Sequence, residues 1–164
     1  IGHSEGGAIA FILGAKGMTD FVVSMAGPGV KGDTLLVMQQ NRVAELMGIP
    51  TKTSIAQLHK NEQLLKAPWF RWFIDYDPSA DIKSTRCPVF AINGNRDCQV
   101  ISLQNLTAIE QLLPKTKMNR VKEYPGLNHL FQHCSTGNTN EYRQIEETIS
   151  AEVLSDIAEW IKGL

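Results

Sequence analysis

Ile1-Gly2-His3-Ser4-Glu5-Gly6-Gly7 opens the chain and carries a G-x-S-x-G pattern. This is the pattern of a nucleophile elbow: a strand ends, the chain turns sharply at the serine, and a helix begins at once. Such a turn holds the serine in a strained backbone conformation and lifts its hydroxyl to the tip. Glycines on both sides are expected because strand and helix approach closely there, leaving no room for a Cβ. Gly2, Gly6 and Gly7 supply that space. Residues 8–17 are small and mostly apolar, suited to a buried helix that Gly14 or Gly17 ends. Ser4 is thus the candidate nucleophile, provided an acid and a histidine follow in a matching structural setting.

Working outward, residues 20–29 (Asp20-Phe21-Val22-Val23-Ser24-Met25-Ala26-Gly27-Pro28-Gly29) read as a continuous apolar strand closed by a Gly/Pro turn. Continuous rather than alternating hydrophobicity predicts a strand buried on both faces, hence a parallel sheet. Residues 30–86 change character. Asp33 is placed to cap a helix running to Met47, and Gly48 and Pro50 stop it. A second helical stretch covers about residues 53–66, and Pro68-Trp69-Phe70-Arg71-Trp72-Phe73-Ile74 follows. This region reads as a helical cap inserted between two strands. Its aromatics Trp69, Trp72 and Phe73 are either core residues or the walls of an acyl-binding pocket. Strand, amphipathic helix and a more polar strand then occupy residues 87–124, and a last helix covers about 151–162.

In α/β folds functional groups gather at the carboxyl ends of parallel strands. Three such ends carry Ser4, Asp97 and His129, in that order. Among the histidines, His3 adjoins the nucleophile and should point away, His59 should be a surface residue of the insertion, and His133 lies four residues past His129. Asp20 starts a strand, while Asp33, Asp75, Asp77 and Asp81 are explained by caps and turns. The chemistry then follows. His129 would take the serine proton as base, and Asp97 would fix the imidazole tautomer. The backbone N–H of Glu5 would donate to the oxyanion, and the Glu5 side chain should lie at the surface near the site mouth.

Composition narrows the alternatives. The chain has 164 residues, 43% hydrophobic and 20% charged, enough for one domain with a sizeable core. A net charge of −1 gives no footprint for nucleic acid or an anionic membrane, and no apolar run approaches a membrane span. Cys87, Cys98 and Cys134 lack CxxC spacing and read as free thiols. No cofactor is expected. The chain begins in mid-motif, so it is expected to be the C-terminal part of a longer protein, and its lack of a signal peptide leaves the compartment open.

The chain resembles α/β-hydrolases of the bacterial esterase group that includes the EstD-type carboxylesterases. The resemblance rests on Gly2-His3-Ser4-Glu5-Gly6-Gly7, Tyr76-Asp77-Pro78, Pro88-Val89-Phe90-Ala91-Ile92-Asn93-Gly94, Asp97-Cys98-Gln99-Val100 and Pro125-Gly126-Leu127-Asn128-His129-Leu130-Phe131-Gln132. It implies an esterase for short acyl esters with Ser4, Asp97 and His129 as its triad and no metal. It also implies the C-terminal portion of an α/β-hydrolase fold, with about three parallel strands flanked by helices. Residues 1–29 and 87–164 would form the core and 30–86 the cap. The family's earlier strands and second oxyanion donor lie outside this chain, and an exposed first strand predicts self-association. The competing readings are a catalytically incompetent piece of such a hydrolase, a serine peptidase of the same fold, and a metal site at His129, His133 and Cys134.

Overall fold

Two runs dominated by β-branched and aromatic residues form the middle of the sheet, as their side-chain shapes favour. The computed structural model describes residues 1–164. Along the chain come β1 (Gly2–His3), α1 (Glu5–Ala15) and β2 (Val22–Met25), then five helices: α2 (Gly32–Leu46), α3 (Ile55–His59), α4 (Glu62–Leu65), α5 (Pro68–Asp75) and α6 (Ser79–Ser84). β3 (Val89–Gly94), α7 (Ser102–Leu112), β4 (Arg120–Tyr124), a 3-10 helix (Thr139–Gln144) and α8 (Ala151–Lys162) complete it. The strands pair β1-β2-β3-β4, all parallel. The sheet therefore has three full strands and a two-residue strand, β1, at one edge.

Alternation along the strands sends successive side chains to opposite faces. Val22, Val89 and Ala91 join Phe11 of α1, Ile82 of α6 and Ile109 of α7 in one core cluster. Val23, Phe90 and Ile92 join Tyr124, Leu127 and Val153 of α8 in the other. All six residues of β3 are buried, the physical counterpart of its unbroken apolar run. Both faces are covered, which leaves the carboxyl ends of the strands as the open rim.

The insertion departs from its sequence reading in detail. The stretch 53–66 is two short helices, because Asn61 caps a new start by accepting from Leu64 N at 3.3 Å. Asp33 sits inside the first turn of α2 rather than at its cap. His59 is exposed, as expected of a surface residue, and its Nε2 also meets the buried Asp33 carboxylate at 3.2 Å, beside Lys31 Nζ at 2.9 Å. Burial opposes ionisation of Asp33, but the hydrogen bonds from Lys31, His59 and Thr34 outweigh it and hold the carboxyl below its usual range. Ile82 of α6 belongs to the core under the sheet, so the last part of residues 30–86 packs with α1.

Candidate active site

The turn at Ser4 is built from backbone constraints. Ser4 has φ 56° and ψ −122°, in the left-handed region that non-glycine residues avoid. Its N–H donates to Met25 O at 2.8 Å and its carbonyl accepts from Gly7 N at 2.9 Å, so both sides of the strained residue are tied down. A Cβ at Gly2 would run into the Gly6 carbonyl, and one at Gly7 would lie 2.6 Å from Gly27 Cα and 2.8 Å from Ser24 Oγ. A Cβ at Gly6 would meet nothing within 4 Å, so close packing rests on Gly2 and Gly7 alone. Gly7→Ala is therefore expected to destabilise the chain by about 1–3 kcal/mol through overpacking. Gly6→Ala, in a helix and in open space, should instead be neutral or gain up to about 1 kcal/mol. Urea unfolding of the two variants checks this, and equal costs would show that the elbow is not packed as described.

Glu5 is the first residue of α1, and its N–H makes no hydrogen bond within the chain. That leaves a backbone donor and the positive end of the helix dipole beside Ser4. The Glu5 side chain does not simply face solvent. It accepts a hydrogen bond from the indole N–H of Trp69 and so ties α5 to the elbow.

Asp97 and His129 come together because their two loops are stapled to one another. Asn95 N donates to Tyr124 O at 2.9 Å, Arg96 N to Leu127 O at 3.0 Å, and Gly126 N to Asn95 Oδ1 at 2.8 Å. Gly94 lets the end of β3 pass against Leu127, where a Cβ would strike the backbone. Asp97 Oδ1 accepts from Gln99 N at 2.7 Å and Val100 N at 2.9 Å, which leaves Oδ2 to meet His129 Nδ1 at 2.7 Å. The pair is almost sealed from solvent, with side-chain exposures of 0% for Asp97 and 5% for His129. Asn128 organises the histidine loop. Its Oδ1 accepts from Leu130 N and Gln132 N, and its Nδ2 donates to Gln132 Oε1 at 3.0 Å.

No hydrogen bond joins Ser4 Oγ to His129 Nε2. Ligand-free catalytic pairs are often long and tighten on substrate binding. His3 is exposed and packs on the His129 loop. Its Nε2–H donates to His129 O at 2.8 Å, with ring centroids 4.7 Å apart. Desolvation lowers the His3 pKa and outweighs the opposing hydrogen bond, which disfavours the charged ring. Three non-glycine residues have positive φ, and all surround this point: Ser4, Ala26 at the end of β2 and Phe131 two residues past His129. Strained residues of this kind collect at functional sites, and no sequence signal marks Ala26 or Phe131.

A cavity of about 190 Å³ lies against Ser4 and Glu5, walled by Leu35, Trp69, Phe73 and Val100 among others. Trp69 and Phe73, stacked with centroids 5.2 Å apart, are on this wall. Trp72 is not. It stacks on Tyr76 at 4.9 Å and lines a separate outer cavity with Arg71 and Asp75. The signal was present in the sequence: 69/73 and 72/76 are two i,i+4 pairs, and so two different stripes of one helix. Leu35, Gln39 and Gln99 were missed because they reach the pocket from segments far apart in the chain.

The thiols are free, and burial pushes those of Cys98 and Cys134 upward, with Asp97 adding to the effect on Cys98, which disfavours the nucleophilic thiolate. His133 Nδ1 pairs with the Glu147 carboxylate at 3.0 Å, and Cys134 Sγ turns to Gly126 O. His133 and Cys134 therefore do not converge with His129, and no group of three or more His, Cys, Asp or Glu side chains is gathered as a ligand set.

The element order and the all-parallel sheet are those of an α/β-hydrolase fold. Neither a protein-family model nor a curated protein matches the chain by sequence. In structure it is similar to a meta-cleavage product hydrolase from Pseudomonas fluorescens IP01, with TM-score 0.56, 15% identity, and coverage of 99% of this chain and 63% of that one. It is also similar to a monoacylglycerol lipase from Paleococcus ferrophilus, with TM-score 0.52, 14% identity, and coverage of 97% and 65%. A third likeness is to Est1E from Butyrivibrio proteoclasticus with bound ferulic acid, with TM-score 0.50, 16% identity, and coverage of 96% and 58%. The chain spans less than two thirds of the length of each of these proteins. At such identities the likeness establishes the fold.

Proposed function

We propose that this chain carries the nucleophile, base and acid of a serine hydrolase that cleaves carboxylic esters through an acyl-enzyme. The observation that carries the reading is the buried Asp97–His129 pair on the same rim as a strained serine at a helix N-terminus. In this mechanism Ser4 Oγ attacks the ester carbonyl while His129 Nε2 takes its proton. Asp97 holds Nδ1–H and stabilises the imidazolium. The Glu5 N–H and the start of α1 donate to the developing oxyanion, where a preorganised donor lowers the barrier most. His129 then protonates the leaving alcohol, and water repeats the sequence in reverse. The small cavity beside Ser4 supports short acyl esters. That two of the neighbours in structure are named as a hydrolase and a lipase fits this chemistry.

Fluorophosphonate labelling of the full chain, read by intact mass and peptide mapping, tests the reading. One adduct per chain on Ser4, lost in His129→Ala, is the expected result. An adduct elsewhere, or labelling of Ser4 that is indifferent to His129, would remove the proposed nucleophile.

A further inference from the structure

The cavity beside Ser4 is not uniformly apolar. Its hydrocarbon and aromatic walls are interrupted by two carboxamides, Gln39 from α2 and Gln99 from the loop after β3. Gln39 Nε2 reaches Gln99 Oε1 at 3.4 Å, long for an N–H···O bond. Gln99 Nε2 donates to the Tyr142 hydroxyl at 3.0 Å. Gln39 Oε1 accepts nothing from the protein, and each Nε2 keeps a second hydrogen. Gln99 is also held in place by its backbone, since its N–H donates to Asp97 Oδ1.

A hydrocarbon group seated here would displace water from both amides and leave their free atoms unpaired, which is costly. A hydroxyl both donates and accepts, so it can donate to Gln39 Oε1 while it accepts from Gln99 Nε2. Resting on the reading of Ser4 as nucleophile, we propose that the site selects esters whose cavity-bound group is mainly apolar and bears one hydroxyl received by Gln39 and Gln99. The group belongs either to the acyl half or to the alcohol half of the ester. The rival role for these side chains is a clamp, since Gln39, Gln99 and Tyr142 link α2 to the core. A clamp would act on all substrates alike.

The test compares kcat/KM for 4-nitrophenyl hexanoate with its monohydroxylated counterparts, and for hexyl acetate with hydroxyhexyl acetates. It uses the unmodified full chain and the variants Gln39→Met and Gln99→Met. Binding of the corresponding free acids and alcohols is followed in parallel by calorimetry. In one of the two arms a hydroxylated isomer should be preferred by about tenfold, and each substitution should shrink that preference about threefold to tenfold, the weight of one hydrogen bond. No preference in either arm overturns the inference. So does a preference that both variants retain, or an equal loss on plain and hydroxylated esters. Hydroxyl-selective binding without any turnover would leave the inference standing and remove the esterase reading. Turnover without selectivity would do the reverse.

Discussion

Ser4→Ala is expected to lower kcat/KM on short-chain esters by about 10⁴- to 10⁶-fold, the scale lost when the nucleophile of a serine triad is removed. That range corresponds to about 5.5–8 kcal/mol of transition-state stabilisation. His129→Ala should cost a similar amount, because an unactivated hydroxyl is hardly a nucleophile at neutral pH. The double substitution is the sharper measurement. If the two residues act as one unit, Ser4→Ala/His129→Ala should be no slower than either single variant, since the second change removes a partner whose work has already gone. Multiplying losses would mean that each contributes through a separate route. Folding is not expected to confuse the result, because the Ser4 side chain makes no hydrogen bond and its strained backbone is held by Met25 O and Gly7 N. Alanine at φ 56° carries the same backbone cost as serine, so the unfolding midpoint should shift little. Parity of turnover with the unmodified chain would take Ser4 out of the mechanism.

The parts of this arrangement that were legible in the sequence are those whose cause is local. A sharp strand-to-helix turn needs small neighbours, so G-x-S-x-G announces itself, and unbroken apolar runs such as that of β3 announce a strand covered on both faces. The Asp97 and His129 positions could be inferred because each follows a strand in a parallel sheet, and chain order then puts their loops on one rim. What stayed hidden depends on docking. Nothing near Glu5 says that Trp69 will reach it from 64 positions away. Nothing near His3 says that it will brace the His129 carbonyl. The motif marks Gly6 as a close-approach residue, while the actual contacts fall on Gly2 and on Gly7 against Gly27. Trp69 and Trp72 lie close together in the sequence, and the 3.6-residue period assigns them to different stacked pairs.

Asp97→Asn is the second large effect, with an expected loss of about 10⁴-fold in kcat and little change in stability. The argument turns on which way the new amide must face. Asp97 Oδ1 accepts from two backbone donors, Gln99 N at 2.7 Å and Val100 N at 2.9 Å. An amide at this position can keep both bonds only by turning its oxygen toward them, which aims its NH₂ group at His129 Nδ1. With a donor facing it, Nδ1 must become the acceptor, and the ring proton moves to Nε2. The imidazole then presents N–H toward the serine and cannot take its proton, although every heavy atom stays where it was. Turning the amide the other way would restore the tautomer but would set an NH₂ against two backbone N–H groups in a sealed site, a costlier arrangement. Nitrogen NMR of the His129 ring should therefore report the Nε2–H tautomer in the variant and Nδ1–H in the unmodified chain. A variant with the altered tautomer and turnover within about tenfold of the unmodified chain would show that His129 is not the base. Asp97→Ala separates the two duties of the residue. It should lose the loop bonds to Gln99 and Val100 as well, and so lower the unfolding midpoint where the amide does not.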